Sequence, residues 1–177
     1  MPRRSIGSMV GALVLAAGAA ASAQPVYTGL PAPLQRVAFE QRLGESVDLS
    51  LPFVDERGQS VELGELVVEK PVVLALVYYD CPMLCSMTLN GLVSSLKALE
   101  LSVGREFDVL AVSFDPRETP ALAAAVEARA VESYHREGSE PGWHFLTGSQ
   151  ESIDALTDAV GFEYTWDDER EEFAHAA

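Results

Sequence analysis

The sequence predicts an α/β fold: an N-terminal β-hairpin, then four strands and three helices in alternation, paired as a parallel sheet. Two apolar runs carry the strongest signal. Residues 72–79 (Val72-Val73-Leu74-Ala75-Leu76-Val77-Tyr78-Tyr79) and 107–114 (Phe107-Asp108-Val109-Leu110-Ala111-Val112-Ser113-Phe114) are nearly continuous in apolar residues. Such runs read as strands buried on both faces, the pattern of parallel sheets. The second signal is the helix-length segment between and after them, which implies crossover connections. The third is composition. With 48% hydrophobic residues in 177, the chain can bury one sizeable core.

The elements follow in order. Residues 24–33 contain three prolines and no apolar period, so residues 24–47 read as an extended leader. Leu49, Leu51, Phe53, Val61 and Leu63 alternate around the turn Asp55-Glu56-Arg57-Gly58, which predicts the hairpin. After the first buried strand, Pro82 suits a first helical turn, and Leu89, Leu92, Val93, Leu96 and Leu99 recur at helical spacing. Gly104 ends that pattern. The second strand leads into the polar loop Asp115-Pro116-Arg117-Glu118-Thr119-Pro120. Thr119 is placed to cap an Ala-rich helix over 121–134 with Pro120 at its first position. A short strand over 143–146, a helix over 149–160 and a strand over 162–166 complete the order. The acidic run 167–172 reads as a solvated loop and residues 173–177 as a tail with no closing strand, so the chain is expected to be a fragment of a longer protein.

Charge and N-terminus bound the function. The net charge of -15 comes from 27 acidic against 12 basic residues. Such a surface repels phosphate backbones and excludes nucleic acid as a partner. It attracts cations or a basic protein face. Arg3-Arg4, the apolar stretch 9–20 and Ala21-Ser22-Ala23 form a secretory signal, with residues 1–23 removed and Gln24 left first. The expected location is the periplasm. Residues 6–23 are uncharged, so an uncleaved signal would instead anchor the chain to the membrane. No cysteine follows the small residues, so no lipidated N-terminal cysteine is expected.

Cys81 and Cys85 are the only cysteines. Their C-x-x-x-C spacing puts both sulfurs on one side of a single helical turn, at an N-terminus that favours thiolate. Asp80 opposes that effect. Three uses fit the pair: a soft metal site, reversible thiol–disulfide chemistry, or a fixed disulfide. A disulfide this short closes too small a loop to stabilise much. Three histidines are candidates to complete a metal site. His135 ends a helix, where the dipole favours it. His144 lies between Trp143 and Phe145 and faces away from both. His175 lies in the tail. Two thiolates and an imidazole would suit copper, Cu(I) above all.

Four segments together resemble one family. They are Tyr78-Tyr79-Asp80-Cys81-Pro82-Met83-Leu84-Cys85, Val112-Ser113-Phe114-Asp115-Pro116-Arg117-Glu118-Thr119-Pro120, Trp143-His144-Phe145-Leu146-Thr147-Gly148, and Phe173-Ala174-His175. They resemble the Sco/SenC family, exported thioredoxin-like proteins that carry copper for cytochrome c oxidase assembly. The resemblance runs from about Pro52 to the end of the chain. It implies a thioredoxin-like domain over 48–177, incomplete at its C-terminus because the family's final hairpin and helix are missing. It implies copper, as Cu(I) or Cu(II), held by Cys81, Cys85 and His175. Asp115 would sit near that site, orienting a ligand or a partner thiol, or would serve only the turn. The implied partner is the oxidase's copper-binding subunit or another copper carrier. Two departures stand out: Ser86 replaces the usual proline after the second cysteine, and the Asp-Pro loop is one residue shorter. The leading function is a metallochaperone rather than an enzyme. The alternative is a thiol–disulfide oxidoreductase that keeps the oxidase's copper-site cysteines reduced, using the same pair. A peroxidase would need Arg117 beside a reactive cysteine, a weaker case.

Overall fold

The computed structural model describes residues 37–80 and 84–175, without the side chains of residues 84–86. The predicted signal, most of the leader and Cys81 lie outside the described residues. Cys85 is described only as backbone.

A short strand, β1 (Ala38–Phe39), falls within the predicted leader. The predicted hairpin follows as β2 (Pro52–Val54) and β3 (Ser60–Glu62), with Phe53 opposite Val61. Its turn is made locally. Asp55 Oδ1 accepts from the Arg57 and Gln59 amides at 2.9 and 2.7 Å, and Gly58 takes φ +79°. Phe53 is buried and anchors the hairpin to the core. A single helical turn, α1 (Leu63–Leu66), follows directly.

The parallel sheet contains three strands: β4 (Val72–Val77), β5 (Asp108–Ser113) and β6 (Trp143–Leu146), in that spatial order. Every residue of β5 is buried, as its apolar run predicts. β4 departs from that expectation. Only Val77 is buried, because among the described residues β4 pairs on one side alone. The connecting helices are α2 (Leu84–Lys97), α3 (Pro120–Tyr134) and α4 (Gln150–Val160). α2 and α3 pack on each other, and α3 packs on β6. Thr119 caps α3 as predicted, its side chain accepting from the Leu122 amide at 3.4 Å. Ser149 caps α4 in the same way. Arg136, just after α3, ties it to the end of α2, donating to the carbonyls of Lys97 and Leu101 at 2.9 and 2.8 Å.

The last part of the chain corrects two expectations. β7 (Phe162–Asp167) does not extend the parallel sheet. It lies between β1 and a further strand, β8 (Glu172–His175), antiparallel to both. The tail therefore has a closing strand, and the acidic run is the turn of a hairpin. Asp167 Oδ1 accepts from the Glu169 and Arg170 amides at 3.0 and 3.3 Å, and Glu171 adopts φ +53°. The period-2 pattern then aims Phe162, Tyr164, Phe173 and His175 at the buried ring of Phe114.

Gly161 joins α4 to this second sheet. Its φ of +72° closes the helix, and its carbonyl accepts from the Glu40 amide at 2.8 Å. A Cβ there would lie 2.1 Å from the Glu40 carbonyl oxygen. Gly161→Ala is expected to destabilise the protein by about 2 kcal/mol or more, through positive-φ strain and backbone displacement. Urea denaturation would read this as a lower midpoint; an unchanged midpoint would contradict the close approach.

Candidate metal centre

In open α/β sheets, ligands bind beyond the carboxyl ends of the strands. Two of the predicted site segments leave the sheet there. β4 runs into Tyr78, Tyr79 and Asp80, which lead to Cys81, and β5 runs into Phe114 and Asp115. Cys85 lies in the first turn of α2.

Tyr79 is buried, and its hydroxyl lies 3.0 and 2.8 Å from the carbonyls of Ala111 and Leu146. Burial, reinforced by the carboxylates of Glu118 and Glu56, pushes its pKa well above the usual tyrosine value. The phenol stays protonated and donates, locking the end of β4 onto β5 and β6. The backbone beyond Val77 no longer joins the sheet ladder. Its amides turn instead to Glu118, which accepts from Tyr79 N at 2.8 Å and from Asp80 N at 2.7 Å. Ser113 Oγ donates to the same carboxylate at 2.5 Å. Burial pushes the Glu118 pKa up, while these hydrogen bonds pull it down.

Asp115 is buried, and Arg117 takes both of its carboxylate oxygens. Arg117 Nε and Nη2 donate to Oδ1 and Oδ2 at 2.8 and 2.7 Å, and its backbone amide donates to Oδ1 at 2.9 Å. The carboxylate raises the Arg117 pKa, keeping it charged. The guanidinium sits 4.6 Å from the centre of the Trp166 ring. This turn role for Asp115 is the local reading of its sequence. Arg117 is committed to Asp115 and Trp166, which leaves little for the peroxidase reading. Together with Tyr78, Asp80 and Glu118, these residues line a cavity of about 390 Å³.

His175 is half-buried on β8, edge-on to Tyr78 with ring centres 5.9 Å apart, and 5.2 Å from Phe114. It also lines an apolar cavity of about 590 Å³ with Phe162 and Thr88. Thr88 lies one turn beyond Cys85 on α2. The hairpin thus brings His175 to the strand end that leads into Cys81 and to the helix that contains Cys85. Among the described residues, no three His, Cys, Asp or Glu side chains cluster to hold a metal. The two thiols lie outside those residues. The other histidines sit elsewhere: His135 caps α3 with φ 54°, and His144 lies half-buried in β6 between buried Trp143 and Phe145.

Glu118 is the residue of this cavity that sequence reasoning missed. It reads as one more polar residue before an N-cap. Nothing local signals that its side chain spans two strand ends.

The SCO1/SenC family model matches residues 40–177. No curated protein matches the chain. Among solved structures, a candidate electron transfer protein of Aquifex aeolicus VF5 is 25% identical, with TM-score 0.57 over 75% of this chain and 73% of that one. A SCO1/SenC family lipoprotein of Bacillus anthracis is 17% identical, with TM-score 0.57 over 77% of each chain. Arabidopsis thaliana ScoI, solved with copper bound, is 19% identical, with TM-score 0.51 over 70% of this chain and 74% of that one. These likenesses establish the thioredoxin-like fold.

The His144 environment gives a pH test. Burial, the largest influence, lowers its pKa, against the opposing pull of Glu56 and Asp108. The folded ring stays neutral where the unfolded chain already takes up a proton. Its stabilising contribution is therefore complete above about pH 6.5 and falls as pH drops below that value. His144→Gln should flatten this part of the stability–pH curve. Parallel curves for variant and parent, measured by urea melts from pH 7.5 to 5, would refute the assignment.

Proposed function

The chain belongs to the SCO1/SenC family, and on that premise we propose that it is an exported copper-binding metallochaperone that delivers copper to cytochrome c oxidase during assembly. Copper is its cargo. Cys81, Cys85 and His175 would hold it: two thiolates and an imidazole form a soft, low-coordinate set that suits Cu(I). An open three-coordinate ion can be passed on by ligand exchange.

The observation that carries the reading is the packing of His175 on Tyr78, three residues before Cys81. The two ligand segments are distant in sequence, and an apolar contact holds one against the approach to the other. Copper is also the metal bound in Arabidopsis ScoI, which shares the fold. The signal over 1–23 would direct export to the periplasm. No helix among the described residues is long and apolar enough to cross a membrane. The acidic surface suits a basic docking face on the oxidase's copper-binding subunit or on another copper carrier.

A second reading draws on the electron-transfer role given to the Aquifex protein. In it, Cys81 and Cys85 cycle between dithiol and disulfide and keep a partner's copper-site cysteines reduced. His175 separates the two readings, since thiol exchange does not need it.

The test is anaerobic titration of the reduced chain with Cu(I), followed by metal analysis after desalting. One copper per parent chain is expected. His175→Ala should lose tight binding and keep its thiol–disulfide exchange rate. Stoichiometric Cu(I) retained by His175→Ala would overturn the three-ligand site.

A further inference from the structure

The chain leaves the sheet at Val77, four residues before Cys81. Across that gap, the backbone loses its ladder partners but not its hydrogen bonds. Tyr79 N donates to Glu118 Oε2 at 2.8 Å and Asp80 N to Glu118 Oε1 at 2.7 Å. One carboxylate thus spans two consecutive amides, the last of them adjacent to Cys81. Glu118 is itself held in place. Ser113 Oγ, at the end of β5, donates to Oε2 at 2.5 Å, and the Glu118 amide donates to the Asp115 carbonyl at 3.2 Å. The carboxylate is half-buried, on the wall of the cavity that Tyr78 and Asp80 also line.

We propose that Glu118 is a positioning residue that clamps the backbone leading into Cys81 and thereby sets the copper affinity and the disulfide equilibrium of the Cys81–Cys85 pair. The copper half of this statement rests on the function proposed above; the disulfide half does not. The physical argument concerns freedom. A side-chain acceptor fixes two amides that the sheet has released, so the next residue starts from one backbone direction. Without it, those amides turn to water, and the backbone entering Cys81 is no longer held in one direction. Groups that orient metal ligands from outside the coordination shell typically change affinity by roughly 10–100-fold when removed. Asp115, the outer residue singled out from sequence, is occupied by Arg117 instead.

The experiment compares the full chain with Glu118→Ala and Glu118→Gln. Gln keeps one oxygen acceptor and so can hold one of the two amides. Two quantities are read in protein shown by circular dichroism to be folded. The first is Cu(I) affinity, by competition with a chromophoric chelator. The second is the equilibrium constant of the pair against glutathione. Glu118→Ala is expected to weaken Cu(I) binding by roughly tenfold or more and to shift the glutathione equilibrium beyond error, with Glu118→Gln intermediate in both. A merely stabilising role would lower the melting temperature and leave both constants in place; that outcome overturns the proposal. Should Glu118→Ala fail to fold, Ser113→Ala removes the hydroxyl that holds the carboxylate, which also accepts from the Asp115 amide, and must move both constants in the same direction. Failure of the functional reading looks different: the parent chain itself would bind no Cu(I). The glutathione constant would then decide the clamp alone.

Discussion

The ring of Phe114 is the contact on which the rest of the architecture depends. It is fully buried at the end of β5, the central strand. Tyr78 packs edge-on to it from the end of β4, at 5.4 Å between ring centres. Tyr164 and Phe173 reach it from the hairpin at 4.8 and 5.5 Å, and His175 at 5.2 Å. Among the described residues, the parallel sheet and the β1–β7–β8 sheet share no backbone ladder. This aromatic cluster joins them. Each such pair contributes about 0.5–1.5 kcal/mol beyond its buried area, so the cluster fixes the position of β8 as well as adding stability.

Two different kinds of force therefore meet at one end of the molecule. Apolar ring contacts hold the strand that bears His175. Polar contacts to a half-buried carboxylate hold the approach to Cys81. The first kind tolerates small displacements, since ring packing is broad in angle. The second is directional, and it sits where direction matters more, directly before the first thiol. Tyr79 reinforces it with a phenol whose single proton is shared between carbonyls of two strands.

Most of this was legible in the sequence where a local rule applied. β5 follows from its apolar run, the β2–β3 turn from Asp55 and Gly58, and the start of α3 from Thr119 and Pro120. Reading failed where a distant partner decided. The apolar run of β4 looks the same as that of β5, yet among the described residues β5 has neighbours on both sides and β4 on one. Phe173-Ala174-His175 alternates too briefly to register as a strand, and becomes one because Trp166 and Tyr164 stand opposite. The family resemblance drew attention to Cys81, Cys85, Asp115 and His175. It did not separate Asp115, tied up by Arg117, from Glu118, whose reach across two strand ends only a folded chain reveals.

The half-exposed β4 strand gives the acidic composition another meaning. Six residues, Val72 to Val77, form an apolar strand with backbone groups on one side not paired within the described residues. Such an edge is a template for adding strands from other molecules. A net charge of -15 keeps identical chains apart at long range. The range of that repulsion is about 10 Å at 0.1 M salt and about 3 Å at 1 M. Where that side of β4 is left open, colloidal stability is a balance between an adhesive strand and a shared charge, and ionic strength decides which prevails.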